Sequence, residues 1–297
     1  MGMQSVSIIG VGRVGGALAI ALARSGYGID YLVHRDGLTA KNISHLLPAT
    51  TKLVAWASQS PDLDSDIVFI ATADPDIAHV AAEIRDRLRR RSVVLHTSGS
   101  LSSASLSVLA DAGHFTASMH PLVSISDAIS GADNFSNAFF CIEGNETAVS
   151  TARAIVESLG GRAFSIDSAK KPLYHAAAVM ACGHLVALVD IAIEMLSKCG
   201  IEKGVGKEIL LPLISSTIEN LETRSPAQAL TGSFARLDAE AIARHLSAIG
   251  RDMTDQVKDA YVLLGERSIE LAALNGGNAA DVQVVRDLIS MAKRKSG

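Results

Sequence analysis

The sequence predicts an α/β domain built on a doubly wound parallel sheet, followed by an all-α domain. Through the first half of the chain, short β-rich runs alternate with helix-like segments, a spacing typical of parallel βαβ units. From Ala169 onward, apolar residues recur at helical spacing and strand-like runs cease. The length of 297 residues favours two domains, which we expect at residues 1–167 and 168–297.

The elements of the first domain follow one another in a regular order. A β-rich run at residues 6–9 ends in glycines, and good helix formers follow it as far as the Ser25-Gly26 pair. The later strands are short β-branched or apolar runs, with helical segments between several of them. We predict strands near residues 6–9, 29–33, 66–71, 92–95, 115–119, 138–142 and 162–166, and helices near residues 14–24, 75–88 and 146–159.

The helical half contains a long apolar stretch at residues 176–193. His184 and Asp190 lie within it, and both would be costly at the centre of a bilayer. We therefore interpret the stretch as a core helix. Because it is apolar nearly all round, it must be buried against neighbours, either within the chain or in a second subunit.

The composition excludes several classes of protein. A formal net charge of −4 argues against a general nucleic-acid or anionic-membrane binder, because phosphate contact needs a basic face. The three cysteines, Cys141, Cys182 and Cys199, lack the spacing of a disulfide framework or a zinc site. We expect a protein of the reducing cytoplasm that binds no nucleic acid, membrane or metal.

A glycine-rich segment follows the first predicted strand and opens the first helix. At this position, glycines permit a tight turn and a close approach of the backbone to a pyrophosphate, which then lies at the positive end of the helix. The segment has the dinucleotide-binding fingerprint of a Rossmann domain, although the same glycines could form a turn without a ligand. We expect cofactor contacts from Gly10, Gly12, Arg13, Val14 and Gly15.

The end of the second strand should select the cofactor, because an acidic residue there binds a ribose 2′-hydroxyl and a basic one accepts a 2′-phosphate. The strand ends at His34 and Arg35, whereas Asp30 lies at its beginning, on the wrong side of the sheet. Asp36 could compete with Arg35. We predict NADP(H) rather than NAD(H), with Arg35 and His34 near the phosphate. The alternative is a surface arginine in a turn.

Ligands of such sheets bind outside the carboxyl ends of the strands, so each strand-end loop is a candidate. One loop has the small residues Ala71, Thr72 and Ala73, which would let the cofactor lie across the backbone. Ser98 follows the next strand. His120 ends the third, where substrate and nicotinamide should meet, and a packed structural histidine is the alternative reading of this residue.

A fourth cluster opens the apolar helix, where Pro172 requires the helix to begin near Lys170. Lys171 would lie beside a like charge and near the helix N-terminus, which would lower its pKa toward that of a useful general acid. Lys171 and His175 are four residues apart and can share one helical face. The alternative is a solvated lysine pair beside an interfacial histidine. The candidate catalytic residues are His120, Lys171, Tyr174 and His175.

Several segments together carry a resemblance to a known family. They are the glycine fingerprint, the strand at residues 66–71, and the segments 96–100, 120–122, 174–178 and 230–232. The chain resembles bacterial two-domain Rossmann-like proteins whose helical C-terminal half is a domain of unknown function. These are similar in turn to pyrroline-5-carboxylate reductase, deazaflavin-dependent NADP oxidoreductases and β-hydroxyacid dehydrogenases. The resemblance implies a nicotinamide-dependent oxidoreductase, a helical domain like the C-terminal domain of 6-phosphogluconate dehydrogenase, and a homodimer formed through that domain.

The resemblance also implies roles for single residues. Lys171 falls where β-hydroxyacid dehydrogenases keep a catalytic lysine, and His175 falls where they keep an asparagine. The His120-Pro121 pair is similar to the His-Pro segment of prephenate dehydrogenases, in which the histidine polarises a substrate hydroxyl. Asp238 matches a Gly-x-x-x-Arg-x-Asp pattern of the family, or merely caps the following helix.

These observations lead to one leading function and its alternatives. We expect an NADPH-dependent reductase of a small carbonyl or imine, with hydride transfer in the cleft between the domains and a proton from His120 or Lys171. Oxidation of a hydroxy acid is the alternative among enzymes, and a deazaflavin stays open as the redox partner. Outside enzymes, the alternative is a non-catalytic dinucleotide-binding sensor or scaffold.

Overall fold

The structure is a computed structural model that describes residues 4–35, 37–56 and 61–294. Two compact units divide the chain, Met1–Gly183 and His184–Gly297. The first unit extends beyond the predicted boundary at residue 167. It does so because Lys171 is buried and donates a hydrogen bond to Ser118 in the sheet of this unit.

One mainly parallel sheet organises the first unit. Its strands are β1 (Ser5–Ile9), β2 (Gly28–His34), β3 (Lys52–Ala55), β4 (Ile67–Ile70), β5 (Val93–His96), β6 (Phe115–Leu122), β7 (Phe139–Gly144) and β8 (Arg162–Phe164). They lie in the order β3-β2-β1-β4-β5-β6-β7-β8, and only the β6–β7 pair is antiparallel. The predicted α/β fold is confirmed. Because the chain turns in opposite directions after β1 and β4, the carboxyl ends of these strands form a topological switch point.

Helices cover both faces of this sheet. They are α1 (Arg13–Arg24), α2 (Leu38–Ile43), α3 (Asp74–Ile84), α4 (Ser107–Asp111), α5 (Ala128–Gly131) and α6 (Glu146–Ser158), and a further helix, α7 (Lys171–Ala181), follows β8 without joining either core. Successive side chains of a strand point to opposite faces. Ile8 of β1 therefore packs in one core with α1 and α6, whereas Ile9 packs in a second core with α3 and α4. The sheet is buried on both sides, as a doubly wound fold requires.

The edge strand β3 is missing from the sequence prediction. Its side chains are mostly exposed, so the segment lacks the buried apolar run that marks the inner strands. The amide of Trp56, the residue after β3, donates a hydrogen bond of 2.7 Å to the carbonyl of His34. This edge therefore places Trp56 beside the carboxyl end of β2.

Helices also make up the second unit, which confirms the predicted helical half. They are α8 (Gly183–Lys198), α9 (Lys203–Thr223), α10 (Pro226–Ala229), α11 (Gly232–Ala235), α12 (Ala239–Asp252), α13 (Asp255–Leu274) and α14 (Ala279–Arg294). Ile242 of α12, Ile269 of α13 and Val285 of α14 share its core. The carboxylate of Asp238 accepts a hydrogen bond of 3.0 Å from the Ala241 amide, so Asp238 caps α12.

The apolar stretch that the sequence predicts as a core helix is exposed. The segment Ser168–Lys198, which includes α7 and α8, is long and apolar enough to cross a membrane, with a mean hydropathy of 2.1 in its most apolar part. None of that part is buried. Leu173, Met180 and Val186 are 72%, 62% and 68% exposed. The prediction of a core helix is wrong for the single chain, because no described segment of the chain covers this face.

Candidate functional site

The glycine-rich segment forms the turn from β1 into α1. Gly10 has a φ of +96°, a left-handed conformation that other residues rarely adopt. A side chain at Gly15 would collide with the carbonyl oxygen of Gly10, so this glycine is needed for the turn itself. A Cβ at Gly12 would meet no atom and would point into open space. The turn therefore leaves room for a ligand beside Gly12.

A cavity of about 370 Å³ opens beside this turn, at the carboxyl ends of β1, β2 and β4. Two polar atoms of its lining residues, Oγ1 of Thr72 and Nδ1 of His34, are buried without a hydrogen-bond partner among the described residues. Because buried polar groups are normally hydrogen-bonded, these atoms fit a wall that a polar ligand completes. The predicted cofactor residues in this wall are Gly10, Gly12, His34, Arg35, Ala71, Thr72 and Ala73.

The other predicted cofactor residues do not line this cavity. Arg13, Val14 and Gly15 belong to the first turn of α1. Ser98 is buried, and its hydroxyl accepts hydrogen bonds from the amides of Ser100 at 3.2 Å and of Leu101 at 3.0 Å. Ser98 therefore shapes the loop that follows β5.

Arg35 lies at the rim of the cavity, where the sequence places the ribose. Its side chain is 83% exposed and forms an ion pair of 2.8 Å with Asp76, in the first turn of α3. Asp30 accepts a hydrogen bond of 2.6 Å from Ser65 instead, and it does not line the cavity. Asp36 lies outside the described residues. Sequence reasoning misses Asp76, because an acidic residue in the first turn of a helix is an ordinary stabilising feature.

Three of the four candidate catalytic residues come together at the end of β6. The hydroxyl of Tyr174 lies 2.8 Å from Nδ1 of His120, a hydrogen bond that joins α7 to β6. The rings of His120 and His175 meet edge to face, with centroids 5.6 Å apart. Gly99 permits this packing, because a Cβ there would lie 2.8 Å from Nε2 of His120 and closer still to Nδ1 of His175.

Burial controls the protonation of this cluster. Burial, and to a smaller extent the nearby His175 and Lys171, lower the pKa of His120 to about 4. The His120 ring is therefore neutral at pH 7. Burial also raises the pKa of Tyr174, so the hydroxyl keeps its proton. Nδ1 of His175 is buried and has no partner among the described residues. The cluster thus combines a protonated phenol, a neutral imidazole and an unpaired ring nitrogen beside a second cavity, which all three residues help to line.

Lys171, the fourth candidate, is 0% exposed and lies outside the lining of that second cavity. Its Nζ donates to the hydroxyl of Ser118 at 2.6 Å and to the carbonyl of Ser98 at 3.2 Å. A carboxylate oxygen of Glu143 is 3.9 Å away. Burial lowers the pKa of Lys171, and the negative charge of Glu143 opposes this shift. Helix α7 begins at Lys171 with Pro172 in its first turn, close to the predicted start.

Sequence reasoning misses Glu143, the acidic residue beside Lys171. Glu143 of β7 accepts hydrogen bonds of 2.8 Å from both the amide and the hydroxyl of Ser103. Both ring nitrogens of His96 are hydrogen-bonded to the loop backbone after β5, and burial lowers its pKa to about 4. A glutamate inside an otherwise apolar strand is the signal that could have revealed a buried partner for the lysine.

The fold and the site together define a class of protein. A parallel sheet with a glycine turn at its switch point is a Rossmann-like domain, and residues 2–121 match the family described as "Rossmann-like domain". Residues 138–268 match the family described as "Domain of unknown function (DUF2520)". The protein therefore combines a Rossmann-like domain with a DUF2520 domain. No curated protein matches the chain in sequence.

Solved structures share this fold over most of the chain. A candidate NADP oxidoreductase from Bacteroides fragilis is 22% identical with a TM-score of 0.73, over 90% of this chain and 98% of its own. An imine reductase from Pseudomonas sp. is 19% identical with a TM-score of 0.61, over 97% and 100% of the two chains. The pyrroline carboxylate reductase of Plasmodium falciparum, solved with NADP bound, is 14% identical with a TM-score of 0.55, over 100% of both chains. At these identities the similarity shows the shared fold. It confirms the predicted resemblance to pyrroline carboxylate reductases at the level of the fold.

Proposed function

We propose that the protein is an NADP(H)-dependent reductase that acts on a small carbonyl or imine. The observation that carries this proposal is the His120–Tyr174 hydrogen bond, which lies at the carboxyl edge of the sheet and borders a cavity. The cavity at the glycine turn lies at the same edge, where dinucleotides bind in folds of this kind. Structures with this fold include an imine reductase and an NADP-bound pyrroline carboxylate reductase.

The residues of the cluster can supply the proton for such a reduction, while a bound nicotinamide would supply the hydride. Tyr174 keeps its proton at neutral pH, so its hydroxyl can donate to the substrate oxygen or nitrogen as the neighbouring carbon is reduced. His120, neutral at pH 7, can pass its Nδ1 proton to the phenolate oxygen 2.8 Å away while its Nε2 takes up a proton from water, so that the ring stays neutral. The unpaired Nδ1 of His175 can hydrogen-bond the substrate.

Removing the phenol hydroxyl tests this role. Tyr174→Phe should lower kcat by about 100-fold and leave NADPH affinity unchanged, because it removes a proton donor and no cofactor contact. Turnover is followed by NADPH absorbance with a panel of ketones and imines. Tyr261→Phe is a matched control, since the Tyr261 hydroxyl also lies 2.8 Å from a histidine nitrogen, Nδ1 of His245, in the second unit. The control should keep the wild-type kcat.

The same panel separates the alternative functions. Tight NADPH binding without turnover of any carbonyl, imine or hydroxy acid would favour the non-catalytic sensor or scaffold. Faster oxidation of hydroxy acids than reduction of carbonyls would favour the dehydrogenase. An unchanged kcat in Tyr174→Phe would contradict the proton-donor role.

Arg35 supports NADP(H) over NAD(H), because its guanidinium lies at the rim of the cavity where a 2′-phosphate would be bound. Arg35→Ala should reduce the preference for NADPH over NADH by about tenfold or more, the value of one charged hydrogen bond. Thermal shifts with the two cofactors, followed by titrations, measure this ratio. Arg24→Ala, which removes another exposed arginine paired with an aspartate at 2.7 Å, should leave it unchanged. An unchanged ratio in Arg35→Ala would contradict the NADP(H) assignment.

We also propose a cytoplasmic homodimer formed through the helical half. Leu173, Met180, Val186 and Leu213 expose apolar surface on α7, α8 and α9, and large apolar patches mark interfaces. A second copy can cover such surface symmetrically, and the exposed free thiol of Cys199 fits a reducing compartment. Light scattering in detergent-free buffer should give twice the chain mass. A monomer, or a protein that stays in solution only with detergent, would contradict this proposal.

A further inference from the structure

The cavity beside His120 and Tyr174 has a volume of about 610 Å³. Its walls are the segment that ends β6 and continues after it, and the side of α7 that carries Tyr174. Small or apolar side chains form most of this surface, and the polar groups of the catalytic cluster lie together in it. The lining residues are His120, Pro121, Leu122, Val123, Ser124, Tyr174, His175, Ala177, Ala178, Val179, Ala181, Cys182 and Gly183.

No lysine, arginine, aspartate or glutamate occurs among these lining residues of the described chain. His120 adds no charge at neutral pH, because burial holds its pKa at about 4. Lys171 is the cation nearest to the cluster along α7, but its side chain is fully buried and its ammonium is bound by Ser118, Ser98 and the Glu143 carboxylate. Apart from the two histidines, the described walls therefore offer no cationic side chain to a carboxylate.

The apolar part of the wall acts in the same sense. Along α7 the cavity is lined by Ala177, Ala178, Val179 and Ala181, which offer a carboxylate no polar side-chain atom. Moving an unpaired carboxylate into an apolar site costs far more than moving an uncharged group. The cavity is thus suited to an uncharged ligand, or to one that becomes cationic at the reacting nitrogen.

We infer that the substrate is an uncharged ketone or imine carried on an apolar body, and that carboxylate-bearing keto acids, imino acids and hydroxy acids are poor ligands of this cavity. The identity of the reacting group, a ketone or imine, rests on the proposed reductase function. The class of ligand is inferred from the walls that this chain supplies, and it can therefore be measured by binding without turnover.

Cys182 provides that measurement, because it is an exposed free thiol in the cavity wall. The full-length protein with NADP⁺ is treated with iodoacetamide, an uncharged reagent, and the alkylation of Cys182 is followed by peptide mass spectrometry. Cys199 is exposed and does not line the cavity, so it serves as an internal control. The probes are methyl 4-oxocyclohexanecarboxylate and the corresponding acid, which share one ring and one ketone and differ in charge.

The ester at about ten times its Kd should slow the alkylation of Cys182 by about tenfold and leave Cys199 unaffected. The acid at the same concentration should slow neither reaction. Equal protection by the acid would overturn the inference. Protection by neither probe, or a Cys182 that does not react in the free protein, would also overturn it, because the cavity would then not be an open ligand site.

A charge placed in the wall provides a second test. Val179 lines the cavity and is 37% exposed, so Val179→Arg should introduce a counterion and allow the acid to protect Cys182. Ile129→Arg is the control, because Ile129 is 45% exposed, lies outside the lining and does not belong to the proposed dimer surface. If the acid still fails to protect Cys182 in Val179→Arg, the argument from charge is overturned. Protection by the ester without its reduction would overturn the reductase function and leave the ligand class in place.

Discussion

Lys171→Ala is expected to lower the free energy of unfolding by about 3–5 kcal/mol, because it leaves a carboxylate buried without its cation. The carboxylate belongs to Glu143, which is 9% exposed and would still accept hydrogen bonds from Ser103. The Ser118 hydroxyl loses its donor in the same variant, and the Ser98 carbonyl keeps only the hydrogen bond of 3.3 Å from that hydroxyl. Urea unfolding followed by circular dichroism measures the loss.

Two further variants separate support of the fold from proton donation. Lys170→Ala, at the neighbouring exposed position, should change the free energy of unfolding by less than about 0.5 kcal/mol. Lys171→Met combined with Glu143→Gln should recover part of the loss, because an apolar side chain and a neutral partner replace the buried ion pair. A Lys171→Ala protein with wild-type stability and cofactor affinity but greatly reduced turnover would show instead that Lys171 donates the proton.

Gly99→Ala should lower turnover by about 100-fold, because a displacement of reacting groups by about 1 Å has effects of this size. The added Cβ would lie 2.8 Å from Nε2 of His120 and would collide with Nδ1 of His175. Both rings must move, which disturbs the hydrogen bond between His120 and Tyr174. The cofactor cavity does not include Gly99, so NADPH affinity should be unchanged. Steady-state kinetics and cofactor titration separate these two quantities.

The same substitution elsewhere serves as the control. Gly250 lies on the exposed side of α12, and a Cβ there would meet no atom within 4 Å. Gly250→Ala should therefore leave turnover unchanged. Overpacking at Gly99 also costs stability, by about 1–3 kcal/mol. Full turnover in Gly99→Ala would mean that the reaction does not depend on the placement of the two histidines.

Much of the first unit follows from local sequence patterns. The alternation of strands and helices predicts the parallel sheet, and the rule that ligands bind at carboxyl strand ends places the glycine turn and Thr72 at one cavity. The same rule selects His120, and the predicted helix start near Lys170 places Tyr174 and His175 in the first two turns of α7. These features depend on neighbours along the chain or on a general property of parallel sheets.

The remaining features depend on contacts between distant segments. The Glu143–Lys171 pair requires β7 to run antiparallel to β6, a pairing that no local pattern encodes. Lys171 is predicted as a general acid because a like charge and the helix N-terminus would lower its pKa, yet the structure buries it against Ser98 and Ser118 of other elements. The apolar pattern of α8 likewise shows that this helix must be buried against another surface. It does not show which surface covers the helix.

The position of Lys171 at the first residue of α7 sets the rotational phase of that helix. Each residue advances an α-helix by about 100°, so one residue inserted between Lys171 and Tyr174 would turn the tyrosine away from His120. Segments before Asp167 can change in length without this effect, because the lysine re-establishes the angle at which the helix meets the sheet. The buried ammonium of Lys171 thus fixes the rotation of α7 about its axis. The number of residues between Lys171 and Tyr174 is therefore the feature of the site that tolerates least change.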